Sequence, residues 1–111
     1  NTGLTLIAAA QAALDDPAKR AALKDVLARF RQASLWAQAH PADYAAVFAK
    51  ATGVDPKLAK LIVDRQNPVL VAPDAAVIAP LQRVVDRFRA DGELPAHVDV
   101  ASIVDRGIFP A

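Results

Sequence analysis

The stretch DPAKRAALKDVLARFRQASLWAQAH, Asp16 to His40, is the longest uninterrupted amphipathic segment in the chain, and its reading decides the fold. Asp16 can accept a hydrogen bond from a free backbone N–H of a first helical turn. Pro17 follows at the first helical position, where its missing N–H costs nothing. Leu23, Val26, Leu27, Phe30, Ala33 and Ala37 recur at steps of three and four, which predicts one apolar stripe turned to a core. Lys19, Lys24, Asp25, Arg29 and Arg31 mostly face away from that stripe, and Asp25 and Arg29 stand at pairing distance, four residues apart. The helix is expected to stop where His40 meets Pro41, because proline disfavours the helical conformation of the residue before it.

Outward from this helix, the same punctuation repeats. Pro41 opens a second helix with Tyr44, Val47, Phe48 and Ala51 on one face, and Gly53 ends it as the natural left-handed residue. Asp55-Pro56 restates the cap-and-proline start, and the helix it opens, running to about Gln66, buries Leu58, Leu61, Ile62 and the stem of Arg65. Asn67-Pro68 breaks it. Val69 to Ala72 is then a short extended segment between two prolines. Asp74 caps a further helix with Val77, Leu81, Val84, Val85 and Phe88 on its core face, ended by Asp91-Gly92. Pro80 inside it removes one hydrogen bond and is expected to bend it, a defect of about 3 kcal/mol. Leu94-Pro95 turns the chain, Asp99 caps a last short helical piece through Ile103 and Val104, and Gly107 ends the regular part.

Upstream, Leu4 to Ala9 is a short apolar run containing Thr5 and Ile7, open to reading as a buried strand or a helix start; the strand is favoured. Ala10 to Leu14 is a turn or a short helical piece. The expected fold is thus mainly α, with four to five helices and one or two short strands at Leu4–Ala9 and Val69–Ala72.

A chain of 111 residues is one ordinary domain or a fragment, spanning 1–111, and is long enough to bury roughly two-thirds of its unfolded surface in one core. Its 13 basic and 12 acidic side chains leave a net charge of +1, which argues against a nucleic-acid-binding module. No apolar run approaches the roughly 20 residues a membrane-spanning helix needs. With no cysteine there are no disulfides and no thiolate metal sites. The absence of methionine, with Asn at position 1, suggests a piece of something longer, in which case a missing signal peptide is expected.

Candidates for chemistry are few. His40 and His97 lack a partner at metal-ligand spacing, so no metal or other cofactor is expected. Ser34 and Ser102 lack the G-x-S-x-G turn that exposes a nucleophile and read as structural. Asp15-Asp16 resembles a carboxylate pair, but capping explains it. Lys19, Arg20, Lys24, Arg29 and Arg31 form a basic run that a solvated helix face accounts for, with an anion or acidic-partner surface as the sharper alternative. Leu35 and Trp36 point off the stripe. They suit either a second packing surface beneath another element or a partner surface. No nucleophile, base and metal set converges, and an enzyme is not expected.

The order of motifs resembles the C-terminal third of periplasmic substrate-binding proteins of bacterial ABC transporters, in the branch that binds aliphatic sulfonates, taurine and, more distantly, nitrate and thiamine-pyrimidine compounds. The resemblance covers nearly the whole chain. It rests on Asn1-Thr2-Gly3 leading into an apolar run that ends in alanines, on the long helix ending near Trp36 and His40-Pro41, and on Ala51-Thr52-Gly53 before Asp55-Pro56. In the tail, Val71, Pro73, Asp74, Val77, Leu81-Gln82, Asp86, Phe88, Leu94-Pro95 and Val98-Asp99-Val100 stand in the family's order and spacing. The resemblance implies a two-lobed, type II α/β binding fold in the parent, capture of a small organic anion, delivery to a membrane ABC permease, and a periplasmic or other extracytoplasmic location. Pro80 departs from the family's polar or aliphatic residue, and Leu4, Thr5 and Leu6 stand where aromatics are common. Most anion donors would lie upstream, leaving Asn1, Thr2 and Gly3 as the positions placed near the cleft. The alternative is a free-standing helical interaction or dimerisation domain that works through Leu35 and Trp36. Either way, an unpaired strand and a bare apolar patch would favour self-association of these 111 residues.

Overall fold

The structure is a computed structural model that describes residues 5–66 and 68–109. It is mainly α. Among the described residues there are six α-helices: α1 Gln11–Asp15, α2 Pro17–Ala39, α3 Pro41–Thr52, α4 Pro56–Arg65, α5 Ala75–Ala90 and α6 Val100–Ile103, followed by a 3-10 turn at Arg106–Ile108. The chain divides into two compact units, one of Asn1–Asp25 with Ala72–Ala111 and one of Val26–Val71.

The start signals act as their chemistry requires. Asp16 accepts from the N–H groups of Ala18 (2.9 Å) and Lys19 (3.1 Å) and so caps α2. Asp55 does the same for Lys57 and Leu58 at α4, and Asp74 for Ala76 and Val77 at α5. Asp99 accepts from Ala101 N–H at α6. Each carboxylate satisfies donors that a helix start leaves without an intrahelical acceptor. Two ends use left-handed glycine. Gly53 has φ 72° and donates to Ala49 O. After α5, Gly92 (φ 80°) donates to Arg89 O and Glu93 N–H to Phe88 O, the paired bonds of a Schellman stop. The α5 helix runs through Pro80 without a break.

In the Val26–Val71 unit, α3 packs on α4 through small side chains: Ala45, Ala59 (0% exposed) and Val63 are buried. Alanine at the contact lets two helix backbones approach closely, and full burial of Val63 contributes about 2 kcal/mol. Ser34 joins α2 to the segment after α4. Its hydroxyl donates to Arg31 O (2.8 Å) and accepts from Leu70 N–H (3.4 Å). In the other unit, α5 packs on α6, and Ile78 and Val100 are buried.

Three expectations are corrected. The strand at Leu4–Ala9 does not form in its described part. Residues 5–10 have no secondary structure and are exposed, with Leu6 at 65% and Ile7 at 58%. A strand exists only in a ladder, and no strand is present among the described residues to pair with it. Val69–Ala72 likewise forms no strand. Second, only part of each expected apolar face turns inward. On α2 the less exposed positions are Arg20, Leu23, Leu27, Arg31, Ser34 and Ala37, while Val26, Phe30 and Ala33 are exposed. On α4 Ala59 and Val63 are buried while Leu58 and Leu61 are half-exposed, and Val47 on α3 and Phe88 on α5 are also outward. Third, Gly107 lies inside the 3-10 turn and does not end the regular part.

Candidate functional site

Asn1, Thr2 and Gly3, the positions expected near a ligand cleft, lie outside the described residues. Leu35 and Trp36 are on the last turns of α2, about half-exposed. Adjacent residues of a helix diverge by about 100°, so the two do not share one face. The Trp36 indole stacks on His40 one turn on, with ring centroids 5.4 Å apart and planes at 29°. This stack covers one side of the indole with a residue that the proline after it has already removed from the helix.

The exposed stripe of Val26, Phe30 and Ala33 makes a more continuous surface than Leu35 and Trp36. These residues follow at steps of four and three, and Val26 and Phe30 are 55% and 59% exposed. Sequence periodicity assigned the whole α2 stripe to the core; Leu23, Leu27 and Ala37 do turn inward, and Val26, Phe30 and Ala33 do not.

Two polar constellations escaped the sequence reading. In the first, the Gln82 amide on α5 pairs with the main chain before α6. Its Nε2 donates to Val98 O (3.0 Å), and its Oε1 accepts from Val100 N–H (2.8 Å). The same nitrogen donates to Asp86 Oδ1 (2.8 Å), one turn along the helix. A primary amide offers a donor and an acceptor side by side, as a backbone peptide does, so Gln82 serves 98–100 as a stand-in for a neighbouring strand. The available signal was a glutamine set within the half-buried face of Val77, Leu81 and Val85.

In the second, Arg20, expected on a solvated basic face, reaches Asp105 across 85 residues of sequence. Its two terminal nitrogens engage the two carboxylate oxygens at 2.5 and 3.0 Å, a fork on a fork. About a third of each side chain remains exposed. The hydrogen bond from Arg20, with further bonds from Gly107 and Ile108 N–H, holds the Asp105 carboxyl below its ordinary pKa, and Asp105 in turn raises that of Arg20. Asp16 is also lowered, first by the backbone N–H of Lys19.

Little else converges. Among the described residues no three His, Cys, Asp or Glu side chains come together. His40 Nδ1 is 3.9 Å from Asp43, and His97 Nδ1 is 3.9 Å from Asp86, each beside a single carboxylate. Ser34 and Ser102 donate to main-chain carbonyls. Lys19 sits 3.4 Å from Asp16. A depression of about 210 Å³ in the Val26–Val71 unit is lined by Ala42, Ala45, Ala46, Pro56 and Lys60, and Lys60 is committed to Asp64 at 2.6 Å. That is smaller than ordinary ligand clefts and offers no converging polar groups. No described helix is long and apolar enough to cross a membrane.

Fold and surface together define a mainly helical chain with two polar ties and outward apolar stripes. Compared with family models, curated proteins and solved structures, the chain matches none.

Proposed function

We propose that this chain is the C-terminal, mainly helical part of a substrate-binding protein that captures a small organic anion of the sulfonate type and hands it to an ABC permease outside the cytoplasm. In this reading no bond is made or broken. The anion is held by oriented donors as two α/β lobes close, and Asn1, Thr2 and Gly3 stand at the edge of the cleft. The supporting observation is the segment of residues 5–10, apolar, uncharged and exposed without a ladder. Its composition suits a strand in a sheet that other parts of a larger protein would supply. The motif order of the tail, from Pro73-Asp74 through Leu81-Gln82 to Val98-Asp99-Val100, supports the same reading.

The test begins with the coding region upstream of Asn1, which is expected to encode further α/β sequence on the scale of two lobes. Calorimetric titration of that longer protein with taurine and short alkanesulfonates should give specific heat, and the 111 residues alone should give none. Absence of the upstream region, or tight sulfonate binding by the 111 residues, would overturn the proposal.

A second reading, a helical self-association or partner-binding domain, draws on the exposure of Leu35 and Trp36. Light scattering separates it. A dimer that dissociates on Trp36→Glu supports that surface, whereas an association unchanged by the substitution removes it.

A further inference from the structure

We propose that the outward face of α4 rests on an anionic lipid surface, with Leu58 and Leu61 entering the acyl boundary and Lys57 and Arg65 meeting the headgroup phosphates. The inference is independent of the importer reading. Ala59 and Val63 are buried where α4 packs on α3. At about 100° per residue, Lys57, Leu58, Leu61 and Arg65 fall on the opposite side, within an arc of about 100°. All four are exposed, the leucines at 50% and 49%. One helix thus carries two apolar faces, and its contact with α3 uses the one made of the smaller side chains.

The outer face runs cation, leucine, leucine, cation. Lys57 and Arg65 stand about 12 Å apart along the helix axis, and neither forms an ion pair among the described residues. The neighbouring acids are engaged: Asp64 pairs with Lys60 at 2.6 Å, and Asp55 accepts from the N–H groups of Lys57 and Leu58. The Val26–Val71 unit as a whole has six basic and three acidic side chains, against seven and nine in the rest of the chain, so the positive excess lies in the unit that carries α4. Charge therefore favours an anionic occupant, and size decides its kind. Two half-exposed leucines on a convex helix fall far short of the about 800 Å² per side that a stable protein partner covers. A lipid surface asks for less, because leucines sink into it while lysine and arginine lay their stems along the boundary and raise their charged ends to phosphate.

Cosedimentation of the full chain with vesicles of phosphatidylglycerol and phosphatidylcholine in equal parts tests this, with pure phosphatidylcholine vesicles beside them. Binding should need the anionic lipid and should fall away near 1 M salt, where the screening length is about 3 Å. Lys57→Gln with Arg65→Gln should weaken it about thirtyfold, at about fivefold per cation. Leu58→Ser with Leu61→Ser should weaken it by at least tenfold, with circular dichroism reporting that the helices are kept. A second readout does not depend on those variants folding: Leu61→Trp in a Trp36→Phe chain should shift its emission to the blue when the anionic vesicles are added. Equal binding to both kinds of vesicle, or binding unchanged in either double variant, would overturn the proposal. So would an indole at position 61 whose emission stays that of water while the chain sediments. No binding to the anionic vesicles would also overturn it and would assign the face to an acidic helix of a partner protein.

Discussion

Gln82→Ala removes one side-chain amide and leaves two main-chain groups without their partner. Val98 O loses its 3.0 Å donor, and Val100 N–H loses its 2.8 Å acceptor. A hydrogen bond contributes about 1 kcal/mol net, and a donor left unpaired away from water costs about 1–3 kcal/mol. Val100 is only 4% exposed, so its N–H belongs toward the costly end. Alanine returns only a few tenths of a kcal/mol in helix propensity. The expected loss is about 2–4 kcal/mol, which for a domain of this size lowers the melting temperature on the order of 10–25 °C. Thermal circular dichroism measures the loss, and exchange at Val100 N–H locates it. Gln82→Glu should also destabilise near neutral pH, since it removes the donor to Val98 O and sets a second carboxylate against Asp86. A melting temperature of Gln82→Ala within about 2 °C of wild type, with Val100 still protected, would refute the view that this amide holds α6 to α5.

Ala59→Leu should destabilise the Val26–Val71 unit by about 1–3 kcal/mol, because a fully buried alanine between α3 and α4 leaves no room for three more carbons; urea unfolding would show the lowered midpoint. Gly53→Ala should cost about 1 kcal/mol through backbone strain alone, since φ is 72° and nothing lies within 4 Å of an added Cβ. A larger loss in the same assay would point to a contact the glycine is hiding. For pH, Asp16 and Asp105 both have folded pKa values below their ordinary ones. The stability they add is fully present above the unfolded value and is lost as pH falls through the folded values, in the region below about pH 4. Acid unfolding of Asp16→Asn and Asp105→Asn should be less steep than wild type, and acid limbs identical to wild type would contradict both assignments.

What the sequence disclosed was local. Asp16, Asp55, Asp74 and Asp99 cap helices because a carboxylate needs only the two or three residues after it, and Gly53 and Gly92 end helices by their own dihedral freedom. Periodicity identified the apolar stripes and the inward turn of Leu23, Leu27, Val77, Leu81 and Val85, but not that Val26, Phe30 and Phe88 stay outside. That depends on which neighbour can approach, and α3 and α4 meet through Ala45 and Ala59, leaving Leu58 and Leu61 half-exposed. Gln82 and the Arg20–Asp105 fork were hidden for the same reason, as their partners lie 16 to 18 and 85 residues away. The expected strand failed most plainly. Thr5 and Ile7 favour extended backbone, yet propensity does not supply a ladder.

The outward apolar residues bear on what could cover them, because a helix and a sheet edge cover different things. Burial normally takes the largest apolar side chains first, at roughly 1.5–3 kcal/mol each, whereas here alanines are buried and Phe30, Leu58, Leu61 and Phe88 stay about half-exposed. Singly scattered, such residues would be ordinary surface. Val26, Phe30 and Ala33, and again Val84 and Phe88, instead follow helical spacing and form stripes. A second helix laid along α2 would cover Val26, Phe30 and Ala33, since steps of four and three are those of a coiled-coil seam. It would do nothing for residues 5–10, whose backbone in extended form needs another strand at the hydrogen-bonding distance of about 4.8 Å. A helical partner thus answers one exposed element of this chain and leaves the other bare. Covering residues 5–10 through their backbone takes a sheet edge, whereas covering Val26, Phe30 and Ala33 takes only an apolar face, so the two exposed elements ask for different chemistry.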